Sequence, residues 1–218
     1  MAAEILSLDG VVGGYGKLTV LNGTTFKVAR GAITTIIGPN GAGKSTVFKA
    51  VFGLLPVRHG HIAFDGRDIT NREPRRLLEL GMTAARADAD VQARIEAMLD
   101  RFPMLRAKAR AQASTLSGGQ QKLLEIARGL LLEPQLMLID EPSIGLSPLL
   151  VGETFEILQG LRRQGVSILM VEQNAKRALE ISDFGVVLEL GRTRMQGPAR
   201  ELLADPRVGQ FFLGGATL

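Results

Sequence analysis

The chain has 218 residues, 45% of them hydrophobic and 22% charged, the composition of a globular domain with a sizeable core. Its net charge of +4 is small and scattered, which gives no argument for nucleic acid as a partner and is compatible with an anionic membrane face without requiring one. There is no cysteine, which excludes disulfides and thiol chemistry and suits a reducing compartment, and no run approaches the roughly 18 apolar residues of a membrane span.

Met1 to Ile5 show no basic start followed by an apolar run, so no signal peptide is expected. Residues 4–28 read as strands: Ile5, Leu6, Leu8, Val11 and Val12 precede an expected turn at Gly13-Gly14-Tyr15-Gly16, and residues 24–28 alternate. Tyr15 is the only tyrosine. A flat ring in a flexible turn can stack on a purine, although an exposed turn tyrosine is the plainer local reading. Ala32 to Ile37 is short, β-branched and closed by a glycine, the mark of a buried strand.

Gly38-Pro39-Asn40-Gly41-Ala42-Gly43-Lys44-Ser45-Thr46 follows and fits the phosphate-binding pattern G-x-x-x-x-G-K-[ST]. Residues 46–53 carry Val47, Phe48, Ala50 and Val51 and read as the start of a helix, so the motif has the strand and helix flanks it needs. The glycines let backbone N–H groups converge on an anion. The helix N-terminus adds partial positive charge. Lys44 brings a full charge, worth about 4 kcal/mol against an outer phosphate at contact distance and intermediate dielectric. Ser45 offers a hydroxyl to Mg²⁺.

Residues 60–65 read as another strand with a turn at Gly66-Arg67, and residues 74–80 as a helix with Pro74 near its start. His59 and His61 have no second ligand cluster nearby and are expected to be solvated or at a strand edge. Residues 84–90 alternate small and charged side chains without apolar periodicity and read as a linker or a splice. Val91, Ile95, Met98, Leu99 and Phe102 make a helical stripe that Pro103 is expected to end. Leu116-Ser117-Gly118-Gly119-Gln120 then introduces a helix over 120–132, with Ser117 as its N-cap and a second potential anion site at its start.

Leu136 to Ile139 run into Asp140 and Glu141. A buried parallel strand here would deliver both carboxylates to the sheet edge where α/β folds bind ligands. Asp140 can hold Mg²⁺; Glu141 can orient and deprotonate a water. Residues 165–171 form another buried strand, ended by Glu172-Gln173-Asn174, which brings Gln173 to the same edge. A short helix over 175–181, a hairpin around Gly191-Arg192 and a helix over 201–213, interrupted near Asp205-Pro206, complete the chain.

By Glu141 these motifs form an ordered set, and the chain resembles the ATP-binding subunits of ABC transporters over nearly its whole length. Tyr15 matches that family's adenine-stacking aromatic, Gly38 to Ser45 its Walker A loop, Leu116 to Gln120 its LSGGQ signature, and Asp140 and Glu141 the end of its Walker B strand. The resemblance implies an α/β fold: a P-loop NTPase core with a mixed, mainly parallel sheet, an N-terminal antiparallel β-subdomain and a shortened helical subdomain over 84–132, all in one domain spanning 1–218. It implies ATP and Mg²⁺ as ligands, with Glu141 as general base, Lys44 and Gln173 at the phosphates, and Ser45 and Asp140 at the metal. It also implies a head-to-tail dimer with a paralogous subunit or a second copy, in which Ser117, Gly118, Gly119 and Gln120 face the partner's nucleotide. Transmembrane permease subunits and, indirectly, a solute-binding protein are implied partners, at the cytoplasmic face of a bacterial inner membrane. Val171 to Ala175, Glu141 to Pro148 and the ending Asp205 to Gly214 look most like the smaller ATPase of branched-chain amino acid importers. An importer ATPase for urea or another small polar solute is the alternative.

Two departures from the family pattern stand out. Gln173 occupies the place of a usual histidine and cannot carry charge near neutral pH. A glutamine-containing loop expected after Leu80-Gly81-Met82-Thr83 is absent, which marks a deletion, or a segment missing from the sequence, around 83–90. A true deletion would cost Mg²⁺ a ligand and weaken coupling to the membrane subunit. Both departures motivate a rival reading, a nucleotide-gated dimerisation module with little hydrolysis. A soluble ABC ATPase of translation or DNA repair usually needs two cassettes or a long coiled-coil insertion, for which 218 residues leave no room.

Overall fold

A computed structural model describes residues 3–74, 91–131 and 133–213. The chain opens with two long antiparallel strands, β1 (Glu4–Tyr15) and β2 (Leu18–Ala29). Of the expected turn at residues 13–16 only Gly16 lies in a turn, with Lys17; Gly13, Gly14 and Tyr15 are the last part of β1 and pair with Leu21, Thr19 and Leu18. Glycine is required there for close approach: a Cβ on Gly14 would stand 2.0 Å from the Leu18 carbonyl oxygen. β4 (Val57–Phe64) and β5 (Arg67–Asp68) complete a four-stranded antiparallel sheet in the order β2-β1-β4-β5. His59 and His61 lie on exposed positions of β4.

The second sheet is built from β3 (Ile33–Ile37), β6 (Leu136–Asp140), β7 (Ser167–Val171), β8 (Phe184–Glu189) and β9 (Arg192–Pro198), in the order β6-β7-β3-β8-β9. The first four are parallel and β9 is antiparallel to β8. All five residues of β3 and all five of β7 are buried, as strands covered on both faces must be. Their side chains alternate between two cores. Ile36, Leu169 and Val171 face one shared with Phe26 and Phe64 of the antiparallel sheet and with Val47, Phe48 and Val51 of α1 (Lys44–Val51). Ile33, Ile168 and Met170 face a second, made with the helices α2 (Val91–Arg101), α3 (Pro103–Arg106), α4 (Gly118–Leu130) and α5 (Pro148–Arg163). A third, smaller core joins Ile37 and Val187 to α6 (Ala175–Ile181), α7 (Ala199–Ala204) and α8 (Pro206–Leu213).

Pro103 does not simply end a helix. α2 stops at Arg101, and the proline stands first in α3, where a residue without an N–H costs no hydrogen bond. The 16-residue α5 is the longest helix among the described residues, and the sequence reading sets no expectation for it. Gly152 and Gly160 dilute its pattern, yet Val151, Phe155, Leu158 and Leu161 still line one face. The helix expected over 74–80 lies outside the described residues apart from Pro74, and the linker over 84–90 lies wholly outside them.

Candidate functional site

Strand order decides which loops meet. In the parallel sheet Val171 pairs with Ile36 on one side and Asp140 on the other, so the ends of β3, β7 and β6 lie side by side at one edge. Each strand is followed by a segment carrying a sequence-predicted residue: the loop from Gly38 after β3, Glu141 after β6 and Gln173 after β7.

The loop after β3 is packed tightly at its base and open at its crest. A Cβ on Gly38 would lie 2.2 Å from the Leu188 carbonyl oxygen, so no larger residue fits. Gly43 caps α1 at φ 100°, a conformation glycine adopts without penalty. Ala42 is buried, and its carbonyl accepts from the Gly191 amide at 2.9 Å, so the turn between β8 and β9 holds the loop from behind. Pro39 is half-buried, while Asn40 and Gly41 are exposed at the crest. Among the described residues the amides of Gly41, Gly43, Lys44 and Ser45 find no acceptor in the protein, which leaves a cluster of donors at a helix N-terminus. Lys44 is 6% exposed and donates to the carbonyls of Gly38 at 2.7 Å and Pro39 at 3.1 Å, so its ammonium lies along the inside of the loop. Burial pushes the Lys44 ammonium below the usual lysine range, and the carboxylates of Glu141 and Asp140 oppose that shift.

Ser45 Oγ donates to Asp140 Oδ1 across 3.5 Å, which unites the two expected metal ligands. Two hard oxygen donors, one charged, fit Mg²⁺. Glu141 has φ 48° and its amide donates to the Val171 carbonyl at 2.9 Å. A left-handed glutamate costs on the order of 1–3 kcal/mol and is the kind of strain that collects at working sites. Its carboxylate accepts from Gln173 Nε2 at 2.8 Å. Tyr15 is 45% exposed at the end of β1, beside α1: the Lys49 ammonium stands 5.2 Å from its ring centre. Lys49, helped by the Thr46 hydroxyl, holds the Tyr15 phenol below the usual tyrosine range against the opposing effect of burial.

Ser117, Gly118, Gly119 and Gln120 form a different kind of structure. Ser117 caps α4, which begins at Gly118 rather than at the expected residue 120. Gln120 N donates to Ser117 Oγ at 3.4 Å and Ser117 N to Gln120 Oε1 at 3.1 Å, a reciprocal capping box. Ser117 and Gly118 are exposed, and among the described residues none of the four hydrogen-bonds to residues 38–46. The structure therefore brings together every expected site residue except the signature.

Three side chains escaped the sequence reading. Lys122, one turn into α4, donates to the Asp140 carbonyl at 3.3 Å. Lys49 sits over Tyr15. Glu172, at the end of β7, is buried and accepts from Ser143. Only Glu172 left a usable trace in the sequence: an acid directly after a buried apolar strand, as at Asp140.

The family model described as ABC transporter matches residues 21–144. The chain is 37% identical to the high-affinity branched-chain amino acid transport ATP-binding protein BraG of Pseudomonas aeruginosa, with 97% of this chain and 100% of that protein covered. The chain belongs to the ABC transporter family, among its ATPase cassettes. This cassette is also 35% identical to the probable branched-chain amino acid transport ATP-binding protein LivF of Archaeoglobus fulgidus, over 92% of the chain and 95% of that protein. Among solved structures, the MJ1267 ATP-binding cassette of an ABC transporter superposes with a TM-score of 0.88 at 28% identity, covering 98% of this cassette and all of that chain. The ADP conformation of the same protein superposes with a TM-score of 0.86 at 27% identity, covering 98% of this cassette and all of that chain. The expected α/β P-loop fold with its antiparallel N-terminal sheet is thereby borne out.

Proposed function

We propose that this cassette is the ATP-hydrolysing subunit of an importer for branched-chain or related amino acids. The observation that carries the catalytic part is the sheet register. It brings the Lys44 loop, the Ser45–Asp140 pair and the Glu141–Gln173 pair to one edge. ATP lies along the loop, its phosphates taken by the unpaired amides and Lys44, its base against Tyr15. Ser45 and Asp140 would hold Mg²⁺, which would neutralise phosphate charge. Glu141 takes a proton from the water that attacks the γ-phosphorus as that phosphorus parts from the ADP oxygen, and Gln173 keeps the carboxylate in place. Ser117, Gly118, Gly119 and Gln120 present free donors and backbone to the nucleotide of a partner cassette, a paralogous subunit or a second copy, arranged head to tail. Residues 1–218 form one such domain, with 84–132 as its helical subdomain. Nothing in the charge pattern calls for nucleic acid.

The transport assignment is supported by the names of two relatives, both ATP-binding proteins of branched-chain amino acid transport. Among the described residues no helix is long and apolar enough to cross a membrane. In this reading, which rests on the names of those relatives, the cassette acts through separate transmembrane permease subunits, fed by a solute-binding protein, as a peripheral protein at the cytoplasmic face of a bacterial inner membrane. Uptake assays with the reassembled transporter separate leucine, isoleucine and valine from urea and other small polar solutes.

A second reading, a dimerisation gate that binds ATP but scarcely hydrolyses it, is favoured by Gln173 and by a shorter chain. The alignment with BraG runs over 233 positions against 218 residues here, so at least 15 positions of that relative have no counterpart. We place the missing segment around 83–90, outside the described residues. Steady-state ATPase of the purified chain, with and without its partners, decides between the two. Glu141→Gln is expected to lower turnover by about 10²–10⁴ with ATP affinity retained. Turnover indifferent to that change would leave only the gate.

A further inference from the structure

Among the described residues two charged side chains are buried, Lys44 and Glu172. Lys44 belongs to the phosphate loop. Glu172 is 1% exposed, and among the described residues no cation pairs with it. A buried carboxylate is costly unless hydrogen bonds replace its water. Three do. Ser143 N donates to Oε1 at 2.8 Å, Ser143 Oγ to Oε2 at 2.8 Å, and Gln173 N to Oε2 at 3.1 Å. These donors belong to two segments that leave the paired strands β6 and β7, whose last link is the Glu141 amide to the Val171 carbonyl at 2.9 Å, and the carboxylate ties them together beyond it: the loop after β6, which begins with Glu141, and the residue that contacts Glu141. Gln173 Nε2 closes the circuit by donating to Glu141 Oε1 at 2.8 Å. The ring runs from Glu141 along the backbone to Ser143, through the Glu172 carboxylate to Gln173, and back to the Glu141 side chain.

We infer that Glu172 is a positioning residue for ATP hydrolysis: its carboxylate clamps Ser143 and Gln173 together and thereby fixes where the Glu141 carboxylate stands. The inference rests on the reading of Glu141 as general base. A carboxylate suits the place because only donors converge on it and both its oxygens are used. The Glu172 amide also donates to the Ile36 carbonyl at 3.2 Å, so the clamp is anchored to the strand that precedes the Lys44 loop. It is not a catalytic residue, since its polar atoms are spent within the protein.

The test uses the full chain and measures ATP turnover, KM and, by calorimetry, ATP affinity for Glu172→Ala, Glu172→Gln, Ser143→Ala and Glu141→Gln. Without the clamp the Glu141 carboxylate loses its fixed position, and Glu172→Ala is expected to lower kcat by about 10- to 100-fold. KM and ATP affinity stay within about twofold, because no phosphate contact is touched. Ser143→Ala removes one donor and is expected to lower kcat by a few-fold. Glu172→Gln is expected to recover part of the turnover lost in Glu172→Ala: its oxygen still accepts from one backbone amide and the Ser143 hydroxyl can turn to accept from its NH₂, while the other backbone amide loses its acceptor. A merely structural role would lower the folded fraction alone, so that turnover per ATP-binding site, counted in the same calorimetric titration, would stay parental. Glu172→Ala at parental kcat, or losing ATP affinity in step with kcat, overturns the inference. If Glu172→Ala does not fold, an unchanged kcat in Ser143→Ala overturns it instead. Turnover surviving in Glu141→Gln overturns the underlying reading and the clamp with it. Turnover lost in Glu141→Gln but kept in Glu172→Ala and Ser143→Ala overturns the clamp alone.

Discussion

The edge of the parallel sheet and the start of α4 carry the two most distinctive motifs of the chain, and they are built in opposite ways. At the sheet edge, side chains from three separate strand ends lock onto one another: Ser45 to Asp140, Gln173 to Glu141, Glu172 to Ser143. At α4 the hydrogen bonds of Ser117 and Gln120 stay within a single turn, and the face beyond them is exposed. The first region is a set of side chains held to one another across strand ends. The second is a finished helix start with nothing of its own to act on. A cassette that carries one complete half and one idle half is suited to meet another cassette.

That contrast can be broken most severely at Lys44. Lys44→Ala removes the buried charge inside the loop, and ATP binding is expected to weaken by at least about 100-fold, within what an interaction of about 4 kcal/mol allows. Calorimetric affinity near the parental value would contradict the phosphate-loop assignment. The idle half is probed by Gly118→Asp. A Cβ at Gly118 meets no atom within 4 Å, and an acid in the first turn favours the helix by about 0.3–1 kcal/mol. The variant should therefore fold at least as well and bind ATP normally as a monomer, yet lose about tenfold or more in turnover as its charge faces the partner's phosphates. Retained turnover would mean that α4 faces no nucleotide.

A smaller effect is expected at Tyr15. The chain holds one tyrosine and no tryptophan, so near-ultraviolet titration reports this phenol alone. The Lys49 ammonium favours the phenolate, so Lys49→Met should move the titration to higher pH. ATP affinity should fall by about two- to fivefold as the ring loses a cation–π contact of about 0.5–1 kcal/mol, with triphosphate affinity unchanged. The smallest change lies in the scaffold beneath both regions. Thr34 Oγ1 is buried in β3 and has no hydrogen-bond partner among the described residues. Thr34→Val should raise stability by about 1 kcal/mol, seen as a melting temperature higher by about 2–4 °C.

Much of the candidate site was legible in the sequence because its pieces are local. The glycine loop, the capped helix at Ser117 and the acids closing residues 136–141 each sit within a few residues of the element that shapes them. Tyr15 was legible as an aromatic but not as a strand residue, because its pairing partner, Leu18, depends on a bulged register between β1 and β2. α5 went unread although Val151, Phe155, Leu158 and Leu161 recur at helical spacing, because Gly152 and Gly160 dilute that pattern.

By itself the sequence determined the parts: which residues make strands and helices, through periods of two and 3.6, and which turns bind anions, through glycine spacing and helix ends. It did not determine which parts are neighbours. Asp140, Val171 and Ile36 lie side by side only because β7 enters the sheet between β6 and β3. Strand order is settled by how the two faces of the sheet are covered, a property of the whole core. The Gln173–Glu141 contact, the buried Glu172 clamp and the cation over Tyr15 all join residues at least 29 positions apart or on different elements, so tertiary packing alone put them together.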